Sequence, residues 1–278
     1  MFSAKVIEYS ISQSKVELIT FQLVYPRFIH AEVMTHRLFS RNAMSSRAVP
    51  VAKMIEQIRK SPAMPVHWGA NQPGMQAKAE LEGEALATVK AAWLEAAATS
   101  ADIAERMMNA GVHKQVANRI LEPYQWMQTI VTATEWNNWN ELRVHEDAEP
   151  NIFLLATLMN ESRALAAVTL REYYPAQAKG WHLPYITLDE REQHGNDPMF
   201  LVKASAARCA RVSYLTHDGS APDLNKDLQL YDRLVGSKPL HASPVEHQAY
   251  PMNSDELTFS GNFYGWNQYR KMVERDMS

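Results

Sequence analysis

The 278-residue sequence predicts a single α+β domain with a helical lobe at about residues 72–166. Three observations predict it. Residues 16–25 (VELITFQLVY) are rich in β-branched and aromatic side chains, and 126–134 (WMQTIVTAT) share that composition, so both read as strands. Between them, residues 76–109 place Leu86, Val89, Trp93, Ala97, Ile103 and Met107 near a 3.6-residue spacing, the mark of a long helix. No internal repeat, low-complexity tract or clean linker divides the chain.

Taken in order, the first strand ends at Pro26, which has no N–H to continue a ladder, and residues 28–37 read as a short helix leading into a loop of Ser, Asn and Arg. Gly111 terminates the long helix, and a second helix over 112–121 stops before Pro123. Pro150 sits where the first turn of a helix over 151–165 tolerates it, while 135–149 fits neither period. Residues 168–200 carry Pro, Tyr and His without a period and read as an extended connection packed on the surface. Helical runs follow at 203–212 and 224–235, and the aromatic tail 259–270 (FSGNFYGWNQYR) reads as a docking edge.

Hydrophobic residues at 46% and charged residues at 21% support a substantial core and exclude a mainly disordered chain. Lys and Arg total 28 against 31 Asp and Glu, a formal charge of -3, which argues against a protein that coats duplex nucleic acid by phosphate neutralisation. The single cysteine, Cys209, excludes an internal disulfide framework, a Cys-x-x-Cys pair and a zinc site built of thiolates, and fits a reducing, cytoplasmic setting. No signal peptide opens the chain and no run of apolar residues is long enough to span a membrane. None of the ten glycines lies two positions from another, so a nucleotide cofactor here is gripped by side chains and not by a glycine turn.

The densest polar cluster runs Thr35-His36-Arg37-Leu38-Phe39-Ser40-Arg41-Asn42-Ala43-Met44-Ser45-Ser46-Arg47. Three arginines, with serine hydroxyls beside them, in a loop after a short helix suit an anion, because guanidinium forks grip phosphate oxygens in pairs. The alternative is a solvated polar loop.

These residues carry a resemblance to the flavin-dependent thymidylate synthases, whose signature is Arg-His-Arg, seven residues, then Ser. His36, Arg37 and Ser45 match it, Ser40, Asn42 and Arg47 fall on the same pattern, and Thr35 stands where the first Arg usually lies. Arg119 and Pro123 resemble the family's Arg-x-x-x-Pro. Arg143, Ala148 and Ile152 resemble its Arg-x4-Ala-Gln-x-Glu-Ile, with Glu149 and Asn151 in place of Gln and Glu. Asn138 falls on a family asparagine that contacts flavin. A last matching segment, Ala210-Arg211-Val212-Ser213-Tyr214 continuing to His241-Ala242-Ser243-Pro244-Val245-Glu246-His247, comes first in typical members and last here, so the chain resembles a circularly permuted relative.

The resemblance implies an antiparallel sheet with a helical lobe, a homotetramer with active sites between subunits, and reductive methylation of dUMP to dTMP using 5,10-methylenetetrahydrofolate, FAD and NADPH. It implies Arg143 as the catalytic residue. Glu32, Ser45, Ser46, Arg47, Arg119 and Arg143 are the expected substrate-binding residues, and His36, Arg37, Asn138, Ser213, His241 and Ser243 the expected FAD-binding residues; no metal is expected.

Other readings stand beside these. Arg119 at a helix end suits a cap or a pair with Glu122, and Arg143 suits a surface ion pair with Glu141, Glu146 or Asp147. Trp126, Trp136, Trp139 and Tyr124 suit a core or a base-stacking platform. His241, Glu246 and His247 lack the His-Glu-x-x-His order of a zinc helix, and Cys209 in ASAARCARVS reads as a packed small residue. A pyrimidine deoxynucleotide hydroxymethylase on the same scaffold, or a non-catalytic module binding nucleotides or single-stranded nucleic acid, are the rival functions.

Overall fold

A computed structural model describes residues 1–212, 223–236, 238 and 240–276. Its centre is a five-stranded sheet of order β3-β4-β2-β1-β5, formed by β1 (Ser3–Ser12), β2 (Glu17–Pro26), β3 (Ser40–Ala43), β4 (Trp126–Ala133) and β5 (Thr169–Arg171). The β1/β2, β2/β4 and β3/β4 pairs are antiparallel, whereas the short β5 runs parallel to β1. The fold is α+β, as the sequence predicts.

The period of 2 in β2 divides the molecule into layers. Ile19, Phe21, Leu23 and Tyr25 face a helical layer and join the main hydrophobic core, while Leu18 joins a second cluster with Ala249, Phe263 and Trp266 on the opposite face. On that opposite face Thr20 and Gln22 hydrogen-bond His182 and Tyr185. Fully burying a side chain such as Phe21 or Leu23 contributes on the order of 1.5–3 kcal/mol, so both faces of this strand hold the molecule together.

The helical layer contains α2 (Val51–Lys60), α3 (Gly83–Asn109), α4 (Lys114–Ala117), α5 (Asn137–Arg143) and α6 (Pro150–Leu165). Pro150 occupies the first turn of α6 and the Glu149 carboxylate caps it by accepting from the Ile152 N–H at 2.9 Å. The predicted helix over 112–121 is only one turn of α-helix followed by a 3-10 turn, Asn118–Tyr124. Among the elements absent from the sequence reading are β1, and α2, whose Val51, Met54, Ile55 and Ile58 recur at helical spacing and are buried.

The other layer is built from the C-terminal part of the chain. It contains α7 (Leu188–His194), α8 (Pro198–Arg211), α9 (Leu224–Leu234), a 3-10 turn (Ser243–Glu246), strands β6 (Ala249–Pro251), β7 (Phe259–Ser260), β8 (Phe263–Tyr264) and β9 (Trp266–Gln268), and α10 (Tyr269–Asp276). Two expectations are corrected here. The stretch 168–200 is not a surface connection, because Trp181, His182 and Leu183 are fully buried. The aromatic tail is not an open edge, because Phe263, Trp266 and Tyr269 lie in the core. The first segment lacks a period because irregular backbone presents Trp181, His182 and Leu183 to the core, and the tail lacks one because its buried aromatics sit on very short elements, Phe263 on β8, Trp266 on β9 and Tyr269 at the start of α10. Among the described residues no helix is long and apolar enough to cross a membrane.

A buried polar seam fixes this layer to the sheet. Glu8 accepts from Arg171 and Arg191, both at 2.8 Å, and from the Leu183 N–H at 2.8 Å. His182 joins Ser10 and Thr20, Thr20 joins Thr132, and Thr132 joins His247, every link between 2.7 and 2.8 Å. The arginines beside Glu8 hold its carboxyl below its ordinary range despite burial, and burial brings His182 down to about 4 and His247 to about 3.

Candidate active site

Pro26, with φ of −59°, turns the chain out of β2 into a 3-10 turn (Arg27–Ile29) and then α1 (His30–Val33). The loop that follows is braced from within, since Arg41 donates through Nη1 to the carbonyls of Met34 at 2.9 Å and His36 at 3.1 Å. Arg41 therefore supports the motif's backbone. The His36 ring is buried, stacked beside Phe39 and set edge-on to Trp139 with centroids 4.7 Å apart. Burial first, then the charges of Arg143 and Arg41, lowers its pKa to about 4, so the ring is neutral at pH 7.

Arg143, the last residue of α5, brings its guanidinium to this loop. Its Nε donates to His36 Nε2 at 3.1 Å, its Nη2 to Thr35 Oγ1 at 3.4 Å, and its Nη1 lies 3.7 Å from Glu32 Oε2. An accepting Nε2 on a neutral ring leaves the His36 proton on Nδ1. The ion pair of Arg143 is thus with Glu32 on α1, and not with the sequence neighbours Glu141, Glu146 or Asp147. Burial and the nearby Glu149 raise the Glu32 pKa, with Arg143 opposing them.

Arg143 and Glu32 line a cleft of about 870 Å³. Its rim carries Glu146, Asp147 and Glu149, and its far wall is the 66–81 segment. The two departures at the start of α6 have local reasons: Glu149 caps the helix, and Asn151 accepts from the Val66 N–H at 3.0 Å, tying that wall down.

A second polar station forms around Glu122. Its carboxylate receives Arg119 at 2.8 Å, Arg27 at 3.0 Å and the Ser46 hydroxyl at 3.1 Å. Asn118 holds the adjoining turn by donating to the carbonyls of Ser46 at 2.6 Å and Val49 at 2.9 Å. Ser45 accepts from the Arg47 N–H at 3.3 Å, and the Arg47 side chain is exposed. The structure thus brings Ser46 and Arg119 together, with Ser45 and Arg47 in the same turn as Ser46. Within the protomer no hydrogen bond or ion pair joins them directly to Arg143 among the described residues. Sequence reading offers Glu122 only as a pairing partner of Arg119, and misses that Arg27 and Ser46 converge on it too.

The third group straddles the chain's two ends. Ser243 Oγ donates to Asn42 Oδ1 at 3.4 Å, Asn42 Nδ2 donates to the Cys209 carbonyl at 2.7 Å, and Gln268 donates to Ser40 at 3.0 Å. The segment that holds His241 and Ser243 therefore docks on β3, in the middle of the arginine loop. Arg37, Asn138 and His241 are exposed and make no side-chain hydrogen bond or ion pair among the described residues. Ser213 lies outside the described residues. Arg211 of the same motif pairs at 2.5 Å with the buried Asp227, which also receives Arg208 at 2.7 Å. Trp136 and Trp139 are core residues, and Cys209 is fully buried with its thiol pKa pushed up by desolvation. Among the described residues no cluster of three or more His, Cys, Asp or Glu side chains forms a metal site.

This combination of an α+β sheet and an arginine loop facing a cleft has its counterpart among known proteins. The family model of the thymidylate synthase complementing protein matches residues 12–166, and the chain belongs to that family. Its fold is similar to that of a UMP/dUMP methylase PolB from Streptomyces cacaoi bound with 5-Br dUMP, at a TM-score of 0.50 and 15% identity, covering 59% of this chain and 90% of that one. A structure of the same methylase bound with 5-Br UMP gives a TM-score of 0.48 and 16% identity, covering 59% and 89%. No curated protein matches the chain. The family match ends at residue 166, before the C-terminal layer begins.

Proposed function

We infer that this protein converts dUMP to dTMP by reductive methylation, with 5,10-methylenetetrahydrofolate as carbon donor, NADPH as reductant and FAD as resident cofactor. The observation that carries the reading is the convergence of Glu32, Thr35 and His36 on the guanidinium of Arg143 at the edge of a large cleft. Membership of the thymidylate synthase complementing family supports it.

Methylation at uracil C5 needs negative charge on the ring. A fixed guanidinium beside N3 and its carbonyls stabilises that charge, and this is the catalytic role of Arg143. Neutral His36 accepts from Nε without adding a competing cation, so the fork stays oriented while its charge faces the substrate. The carboxylate rim of the cleft repels a phosphate dianion, which places the nucleotide's phosphate away from it. Ser45, Ser46, Arg47 and Arg119 form the station for that phosphate, and Glu32 receives donors from the nucleotide. Because no hydrogen bond or ion pair among the described residues links the two stations within a protomer, and Leu142, Val144 and Phe153 expose apolar surface on α5, α6 and the turn between them, the reading includes a homotetramer whose sites lie between subunits.

The donor set fits an extended anionic cofactor. Arg37, Asn138 and His241 are exposed donors, Ser243 lies against Asn42 in the arginine loop, and no glycine turn is needed. These residues, with Ser213 and the free edge of His36, would hold FAD, which supplies transfer of reducing equivalents from NADPH. The test is absorbance of the purified holoenzyme. NADPH should bleach the flavin bands, and colour should return without oxygen only when dUMP and methylenetetrahydrofolate are both added. Protein that carries no flavin, or colour that returns without the nucleotide, refutes the reading.

A further inference from the structure

The 66–81 segment, a stretch that the sequence motifs leave unassigned, is a short hairpin built against the cleft. Ala70 N–H donates to Ala79 O at 2.7 Å, Leu81 N–H to Trp68 O at 2.9 Å, and Trp68 N–H to the Glu80 carboxylate at 3.0 Å. Its arms touch so closely that a Cβ on Gly69 would meet the Ala77 methyl at 2.3 Å. Val66 fixes its base to Asn151, and Lys78 reaches across to Asp147 at 3.4 Å. At its tip Gly74 adopts φ of +97°, a conformation that suits glycine, and the next residue, Met75, is wholly exposed at the lining of the cleft.

A fully solvated Met on a braced turn, facing a cleft, is an unused apolar surface. The same cleft presents a cationic fork at Arg143 and carboxylates at its rim, a combination that admits a flat ring with donors and acceptors on its edge and rejects a phosphate. We propose that the hairpin is the specificity wall of this site: Met75 packs against the face of the pyrimidine ring whose edge Arg143 addresses. A polarisable thioether beside a planar π system is a favourable contact that tolerates ring substituents. The inference rests on the nucleotide reading above.

Titration calorimetry on the holoenzyme with dUMP, deoxyuridine and inorganic phosphate tests it. Met75→Ala, at an exposed tip where folding is not at risk, should weaken dUMP and deoxyuridine by about tenfold, the effect of losing one apolar contact, and leave phosphate unchanged. Gly69→Ala should weaken both nucleosidic ligands by displacing the hairpin, and Gly69→Ala/Ala77→Gly should restore them by removing the opposing methyl. If dUMP binds the parent and depends on Arg143 but is indifferent to Met75 and to the Gly69 exchange, the hairpin's role is wrong while the nucleotide site stands. If the parent binds neither dUMP nor deoxyuridine, both readings fall.

Discussion

Replacing Arg143 probes the site where the structure is most specific. Arg143→Ala removes a guanidinium held by His36 at 3.1 Å, Thr35 at 3.4 Å and Glu32 at 3.7 Å. Losing a positioned donor of this kind slows turnover by roughly 100- to 1,000-fold, about 3–4 kcal/mol in the barrier. The effect on folding should be far smaller, because the Glu32 carboxylate is about half exposed and a partly solvated pair contributes less than about 1 kcal/mol. A shift in Tm of no more than about 4 °C follows. Arg143→Lys keeps the charge but has a single nitrogen, which cannot address His36 and Thr35 together, so it should recover only part of the rate. Release of tritium from C5-labelled dUMP, with flavin absorbance and thermal unfolding on the same samples, measures all three quantities. Turnover of Arg143→Ala at the parent rate with flavin bound refutes the assignment, and a rate loss explained entirely by unfolding removes its support.

Two further outcomes follow from the core. Cys209→Ser should keep most activity and form no covalent nucleotide adduct, because the thiol is fully buried and its pKa is pushed up, both opposed to a nucleophilic thiolate; trapping of an adduct through Cys209 in the parent would overturn this. Stability should fall in mild acid: His182 titrates near 4 and His247 near 3 in the folded state against about 6.5 unfolded, so their contribution is complete above about pH 6.5 and is lost as pH drops below it, by about 1.4 kcal/mol per pH unit for each histidine. His30 and His36, both lowered to about 4, act in the same direction. Urea unfolding at pH 7 and pH 5 reads the slope, and equal stability at the two values contradicts the buried seam.

What the sequence discloses of this fold follows from how its elements are built. The strand 16–25 and most of the helix predicted over 76–109 are legible because each is long and carries one period, though the helix starts only at Gly83 because 76–81 pair in the hairpin, and Pro150 marks the start of α6 by chemistry that needs no partner. The 3-residue β5 and the irregular run through Trp181 and His182 are not, since their burial is decided by Glu8, Ser10 and Thr20 more than 160 positions away. α2 was legible in principle from Val51, Met54, Ile55 and Ile58. At the site, motif spacing singles out Arg143, His36 and Arg119, and Glu122 stands within local reach of Arg119, but Arg143 meets Glu32, Thr35 and His36, and Ser46 meets Glu122, only through tertiary contact. The hairpin wall is invisible to motif reading because its features, one tight Gly69–Ala77 approach and one exposed Met75, acquire meaning only beside the cleft.

The central claim, that a uracil nucleotide is methylated at the Arg143 cleft, is tested most directly by the mass of the nucleotide recovered after a single turnover of the flavin-loaded enzyme with dUMP, methylenetetrahydrofolate and NADPH. Conversion to dTMP in the parent, and its loss in Arg143→Ala, is the predicted result. Recovery of unchanged dUMP from the parent, or of a hydroxymethylated nucleotide, would contradict it.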